Sequence, residues 1–386
     1  TCRPELIEAT MSRETDLERR LASVRAEMAA QGVSTLGAFY GAQHNMLRPD
    51  PILLLLDYRC LGPSALIIPL QGKPQLILSP VWDLKRAQDS IGERAVVTTT
   101  EESALPEAMA AAMLASGGAL ALAGAEVMPV GLARRLMAAL GSQPADGAPI
   151  IRNCGSTRLP FELERVARAA AIADAGFAHL CEIARPGMWE YEIAAELECA
   201  MQKLGSEDNF GLMSTGDHNV AVRAVRDRRL CAGDLIVSEI TPCNGGYFAQ
   251  LCRTLILGEP SDLQKEKFDL LLRAEDAGLA MAKPGLPTSG IAKAVNEVIG
   301  GAGYADYCRP PYMRTRGHGL GLGGVTPADL NESSPGTLQA GMTMVVHPNQ
   351  YIPETGYLML GDTIAITGDG HQLLTQTPRR LFSARA

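Results

Sequence analysis

The chain has 386 residues, 46% of them hydrophobic and 20% charged, with a net charge of −8. That length suits two or three domains with large buried cores, and the charge balance excludes a surface built for nucleic acid or anionic lipid, which needs clustered Lys and Arg. Nine cysteines with no C-x-x-C spacing read as reduced thiols of a cytoplasmic protein.

The first segment, "TCRPELIEATMSRETDLERR", has no apolar core and no small-residue cleavage site, so it does not read as a signal peptide. "ETDLERRLASVRAEMAAQG" has apolar residues at helical spacing and stops at Gly32. "TLGAFYG", "PILLLLDY" and "SALIIPLQGKPQLILSP" read as strands, the last folded as a hairpin at Gly-Lys-Pro. "PILLLLDY" is far too short to span a membrane. "ALPEAMAAAMLASGG" predicts a helix, "ALALAG" a buried strand and "PVGLARRLMAAL" another helix. Residues 1–155 therefore read as an α/β domain, and residues 156–386 as a second domain.

The second half opens with a helix expected to start after Pro160. It also contains an internal repeat. "IARPGMWEYEIAAELECAMQKLG" (183–205) aligns without a gap on "MAKPGLPTSGIAKAVNEVIGGAG" (281–303). Both copies hold Pro-Gly, then Ile-Ala, then a further Gly at the same offsets. Each reads as helix, break, helix, then strands, which suggests two α–β halves around one pocket. "SEITPCNGGYFAQLCRT" (238–254) reads as strand, turn, strand. "GHGLGLGG" is glycine-rich but follows no dinucleotide-binding pattern.

Three stretches carry a family resemblance: "GDLIVSEITPCNGGYFAQLCRTLILG", "RGHGLGLG" and "GMTMVVHPNQYIPETGYLMLGDTIAIT". In their order and spacing the chain resembles the creatinase/prolidase/aminopeptidase P family. That resemblance implies an α+β pita-bread catalytic domain behind a smaller α/β creatinase-type N-terminal domain. It also implies five metal-ligand positions, which fall on Glu239, Gln250, His318, His347 and Gly361. Only His318 keeps its residue type, and Glu239 is a lengthened carboxylate. The family's substrate-facing histidine falls on Arg223, and a second histidine falls on Val325. A neutral Gln250 and a bare Gly361 cannot bridge two mutually repelling ions. Turnover of Xaa-Pro dipeptides is therefore not expected.

The leading expectation is a metal-independent hydrolase, without cofactor, that cleaves a C–N bond in a small zwitterionic amidine, guanidino or amide compound. It would be creatinase-like or ectoine-hydrolase-like. "QHN" (43–45) and "DYRCLG" (57–62) resemble creatinase segments near the pocket. His318 and His347 would serve as base and acid, with Glu239 orienting one of them. Cys252 is a candidate nucleophile. Arg223 and Arg316 would clamp a carboxylate, Gln250 would read an amide edge, and His218 would lie over the pocket. The resemblance implies a homodimer in which Cys60 and Arg59 reach the neighbouring subunit's site. Two other readings stand beside it. One is a single-metal hydrolase or lyase on Glu239, His318 and His347. The other is a catalytically inactive binding protein of the same fold.

Overall fold

In the computed structural model, which describes residues 4–44, 46, 48–323 and 328–385, the chain begins with helix α1 (Pro4–Ala30). Leu17, Val24 and Met28 are buried along one of its faces, and Gly32 ends it at φ +69°. Strand β1 (Thr35–Tyr40) is buried throughout.

The apolar run that follows is not the expected strand. It is helix α2 (Pro51–Leu56). The Leu53 N–H donates to the Asp50 side chain at 2.9 Å, and Pro51 takes a first-turn position where its missing N–H costs nothing. An uninterrupted apolar run has no period of its own, so the flanking cap selects the helix.

β2 (Ser64–Pro69) and β3 (Gln75–Leu78) form the expected hairpin. Helix α3 (Leu84–Ile91) and β4 (Val96–Thr99) come next, then α4 (Leu105–Ser116), β5 (Leu120–Ala123) and α5 (Val130–Leu140). The unit closes with β6 (Ala145–Asp146) and α6 (Ala148–Gly155). The sheet order is β4-β3-β2-β1-β5-β6. Met109, Met113, Leu136 and Leu140 pack from α4 and α5 onto Phe39, Ile67 and Ile77. Each such burial stabilises by about 1.5–3 kcal/mol.

The described residues form two compact units. The first runs to Ser156 and takes in Leu322 and Gly323; the second begins at Thr157. In the second unit, α7 (Pro160–Ile183) and α8 (Glu190–Lys203) precede β7 (Asn209–Gly216), β8 (Leu235–Asn244), β9 (Tyr247–Phe248) and β10 (Leu251–Leu257). Helices α9 (Asp262–Ala280) and α10 (Ser289–Ile299) follow, then β11 (Gly317–Gly319), β12 (Thr343–Val346), β13 (Gln350–Ile352) and β14 (Gly356–Leu358). The last strands are β15 (Asp362–Ile366), β16 (His371–Leu373) and β17 (Phe382–Ala384). One sheet has the order β17-β10-β8-β7, with β9 paired to β8; another has the order β11-β12-β15-β16.

The repeat in the sequence is a repeat in the backbone. Gly187 and Gly285, the glycines of the two Pro-Gly breaks, have φ +90° and +83°. Their N–H groups donate to Leu230 O and Leu338 O, both at 2.8 Å. Trp189 bridges to Arg229 and Pro287 bridges to Thr337, both antiparallel. The closing glycines, Gly205 and Gly303, have φ +96° and +97°. All four sit in the left-handed region that favours glycine, so the repeated pattern records repeated geometry. Among the described residues, no helix is long and apolar enough to cross a membrane.

Candidate active site

Strand pairing in the second unit lines up one continuous row of residues. Glu239 on β8 faces Cys252 on β10 as its antiparallel partner. Cys252 and Gly361 exchange N–H···O bonds of 3.0 Å in both directions. Gly361 lies against His347. The His347 and His318 rings are 5.8 Å apart, edge to face. Directly opposed strand residues share a face, so Glu239 and Cys252 point the same way. Gln250 precedes Cys252 by two residues, the spacing that returns a side chain to that face. Thr363 fixes Gln250 through its backbone: its hydroxyl accepts the Gln250 N–H at 2.8 Å and donates to Gln250 O at 2.7 Å.

Burial sets the charges in this row. It raises the Glu239 carboxyl to about 7, against a small opposing pull from Arg314. It lowers His347 to about 3, helped by the neighbouring His318 imidazole and by Arg316 and Arg314. It lowers His318 as well, with a hydrogen bond to Gly319 O at 3.1 Å acting the other way. Both imidazoles are therefore neutral at neutral pH. Arg314 is the cation within electrostatic reach of all three. Its side chain is largely exposed, with Nη1 3.2 Å from the Asp329 carboxylate.

Two polar atoms in the row are buried without a hydrogen-bond partner: Gln250 Oε1 and His347 Nδ1. Their residues are 1% and 5% exposed. Arg223 shows the same feature at Nε, while its carbonyl accepts the Met213 N–H at 2.9 Å.

Several residues expected at the site serve elsewhere. Arg316 is not a substrate clamp. It is fully buried, and its Nε, Nη1 and Nη2 donate to Asn296 Oδ1 (2.7 Å), Asn349 O (2.9 Å) and Gln350 Oε1 (2.8 Å). Cys252 is not an activated nucleophile. It packs with Val237 and Met359, and burial followed by the charge of Glu239 holds its thiol well above the usual range. Its polar neighbour is Asn349 Nδ2 at 3.8 Å, not an imidazole. His218 is exposed on a loop, tied to Pro353 O at 2.9 Å and packed edge-on against Tyr351. Cys60 belongs to the first unit, where it is 4% exposed and burial pushes its thiol up. An interior thiol of that kind is not placed to reach another subunit's site. Val325 and Asn45 lie outside the described residues.

Sequence reasoning missed Asn349 and Tyr357. Asn349 accepts the Leu360 N–H at 3.0 Å and so holds the strand segment beside the row. Tyr357 is half-buried as a residue, and its hydroxyl has its pKa raised by burial and by its neighbours Glu239 and Cys252. The proximity of Asn349 to His347 in the sequence was the available signal.

The row fits a resident metal centre poorly. Among the described residues, no group of three or more His, Cys, Asp or Glu is placed to hold an ion. The row has a single carboxyl group. Asp362, the next carboxylate along the chain, is turned away into an ion pair with Arg253 at 2.8 Å.

Comparison with known proteins assigns the surroundings of this row. The model of metallopeptidase family M24 matches residues 164–368. The "Uncharacterized peptidase YqhT" of Bacillus subtilis is 33% identical over 228 residues, which cover 57% of this chain and 62% of that protein. The Xaa-Pro dipeptidase of Pyrococcus furiosus is 29% identical over 236 residues, covering 60% of this chain and 67% of the relative. The matched stretches thus span about two thirds of those proteins. The crystal structure of the prolidase from Pyrococcus horikoshii OT3 superposes with a TM-score of 0.82 at 22% identity, covering 94% of this chain and 99% of that one. The expected α+β pita-bread fold with its smaller N-terminal domain is therefore the fold of this chain. The metal-independent, creatinase-like amidine or guanidino hydrolase expected from the sequence is overturned. The matching family is one of metallopeptidases, and these relatives bear peptidase and Xaa-Pro dipeptidase names.

Proposed function

The chain belongs to metallopeptidase family M24, and from that premise we propose that it hydrolyses a short peptide, or a peptide-like amide, of dipeptide size. The observation that carries this reading is the pair of orphaned buried atoms, Gln250 Oε1 and His347 Nδ1. An unmet buried polar group costs about 1–3 kcal/mol, and a bound peptide group can meet both. Gln250 Oε1 accepts a peptide N–H. A neutral imidazole donates from one ring nitrogen and accepts at the other, so His347 can contact a peptide carbonyl or amide.

Glu239, with its carboxyl near 7, gains and loses a proton at neutral pH. That is the property asked of a group that takes a proton from water or gives one to a leaving nitrogen. Arg314 supplies the positive charge to which a substrate carboxylate would turn. The substrate class rests on the names of the relatives, one of which is an Xaa-Pro dipeptidase. A homodimer in a cytoplasm belongs to the same reading, consistent with described cysteines that are all free. A monomer by light scattering would remove the dimer from it.

The test is a panel of Xaa-Pro and other dipeptides, followed by mass spectrometry of the released amino acids, with divalent metal added or chelated. Wild-type protein is expected to cleave at least one class, and Glu239→Gln to lose about 10²–10⁴ in rate. No cleavage under either condition, with no calorimetric binding of any dipeptide, would sink the reading.

A further inference from the structure

We infer that this chain does not assemble a two-ion metal centre, because the Val346–His347 backbone and the His347 Cβ stand where a side chain at position 361 would begin. Two divalent ions a few Å apart repel one another and are held together by bridging carboxylates. The row offers one carboxyl group, Glu239. Gln250 is a neutral amide, and Cys252 is a buried, protonated thiol beside Asn349. The nearest further carboxylate in the chain, Asp362, is engaged by Arg253 Nη2 at 2.8 Å and by the Thr375 hydroxyl at 2.6 Å. Residues 324–327 read Gly-Val-Thr-Pro and bring no carboxylate, imidazole or thiol.

The decisive feature is steric. A Cβ built on Gly361 would stand 2.5 Å from His347 Cβ, 3.0 Å from Val346 O and 3.1 Å from His347 Cα. Two of those three contacts are with backbone atoms, which cannot rotate away. No side chain fits at 361 while the end of β12 stays where it is, so a ligand there is excluded by packing as well as by residue type. The imidazole of His347 branches from that same crowded Cβ. Burial holds that imidazole neutral, and one of its nitrogens is left without a partner.

This inference concerns ion count and stands apart from the substrate reading, so its test reads no turnover. Wild-type protein is dialysed against micromolar Mn²⁺, Co²⁺ or Zn²⁺, and bound metal per chain is measured by elemental mass spectrometry. No more than about one ion per chain is expected. Two tightly held ions per chain would overturn the inference.

Melting curves test the steric basis. G361E is expected to lose cooperative unfolding or to melt far below wild type. H347A/G361E is expected to melt no higher than G361E, because alanine keeps the Cβ and the backbone that crowd position 361. If G361E melts with the wild type, position 361 has room and the inference fails.

Discussion

Arg253 and Asp362 form an ion pair of 2.8 Å in which neither side chain is more than 1% exposed. The guanidinium also ties the backbone together. Nη1 donates to Cys252 O and Gly361 O, both at 2.9 Å, and Nη2 donates to Thr377 O at 2.6 Å. The pair therefore sits behind the candidate site and fixes the two strands whose other face carries it. Glu275 is close by, and burial together with the charge of Asp362 raises its carboxyl well above the usual range.

Removing one partner of such a pair leaves an uncompensated buried charge. Arg253→Met is expected to cost about 3–5 kcal/mol in urea unfolding. Arg253→Met combined with Asp362→Leu is expected to cost less than Arg253→Met alone, because no lone charge remains. A double variant less stable than the single one would contradict this account.

Glu239 and His347 impose opposite pH dependences. An unfolded glutamate ionises near 4.5, whereas Glu239 holds its proton up to about 7. Between those values the folded protein binds the extra proton, so this term is fully present below 4.5 and is lost as pH rises to 7. Its size is on the order of 3 kcal/mol. His347 stays neutral down to about 3, against 6.5 when unfolded. Its term is present above 6.5 and is lost as pH falls. The two slopes oppose each other between 4.5 and 6.5. Glu239→Gln should therefore show a Tm that climbs with pH across that window more steeply than wild type, and His347→Asn a less favourable trend than wild type. Identical Tm–pH profiles for all three proteins would refute the assignment.

Cys252 should be chemically silent in the folded protein. Native alkylation by iodoacetamide is expected to modify the exposed Cys199 and Cys231 and to spare Cys252 until denaturant is added. Prompt labelling of Cys252 in the native state, mapped by mass spectrometry, would restore a nucleophilic role.

The cap on α2 is a separate test of the first unit. Asp50→Ala should cost about 1–2 kcal/mol, read as a fall in the thermal midpoint, and Asp50→Asn should recover most of it. An Asp50→Ala protein as stable as wild type would mean that burial of the apolar run alone specifies the helix.

Much of the architecture was legible because it is written locally. Gly187 and Gly285 recur at matching offsets because each needs a positive φ after a helix. The strand–turn–strand over Glu239–Cys252 shows in its turn at Gly245 and Gly246, both at positive φ. "PILLLL" misled because an apolar run has no period, although Asp50-Pro51 was a readable helix start. The site was legible as a set of positions but not as a set of roles. Arg316 resembles a ligand clamp in sequence, and nothing local shows that Asn296 and Gln350 receive its donors. Cys252 read as a candidate nucleophile, and only the fold shows Val237, Met359 and Asn349 around it. Gly361 looked like a plain loss, since its contact with His347 joins segments that are separate in the sequence.

That contact also orders the routes by which the site could change. A lineage that placed a carboxylate at 361 while keeping His347 would pass through a clashing protein, since the Cβ has no room. A smaller side chain at 347 does not relieve the clash, because alanine keeps the same Cβ and backbone; the permissive step is a shift of the Val346–His347 backbone away from 361. Glycine at 361 is thus held by the backbone beside it, and change at this site is gated by a movement of the chain rather than by an exchange of side chains.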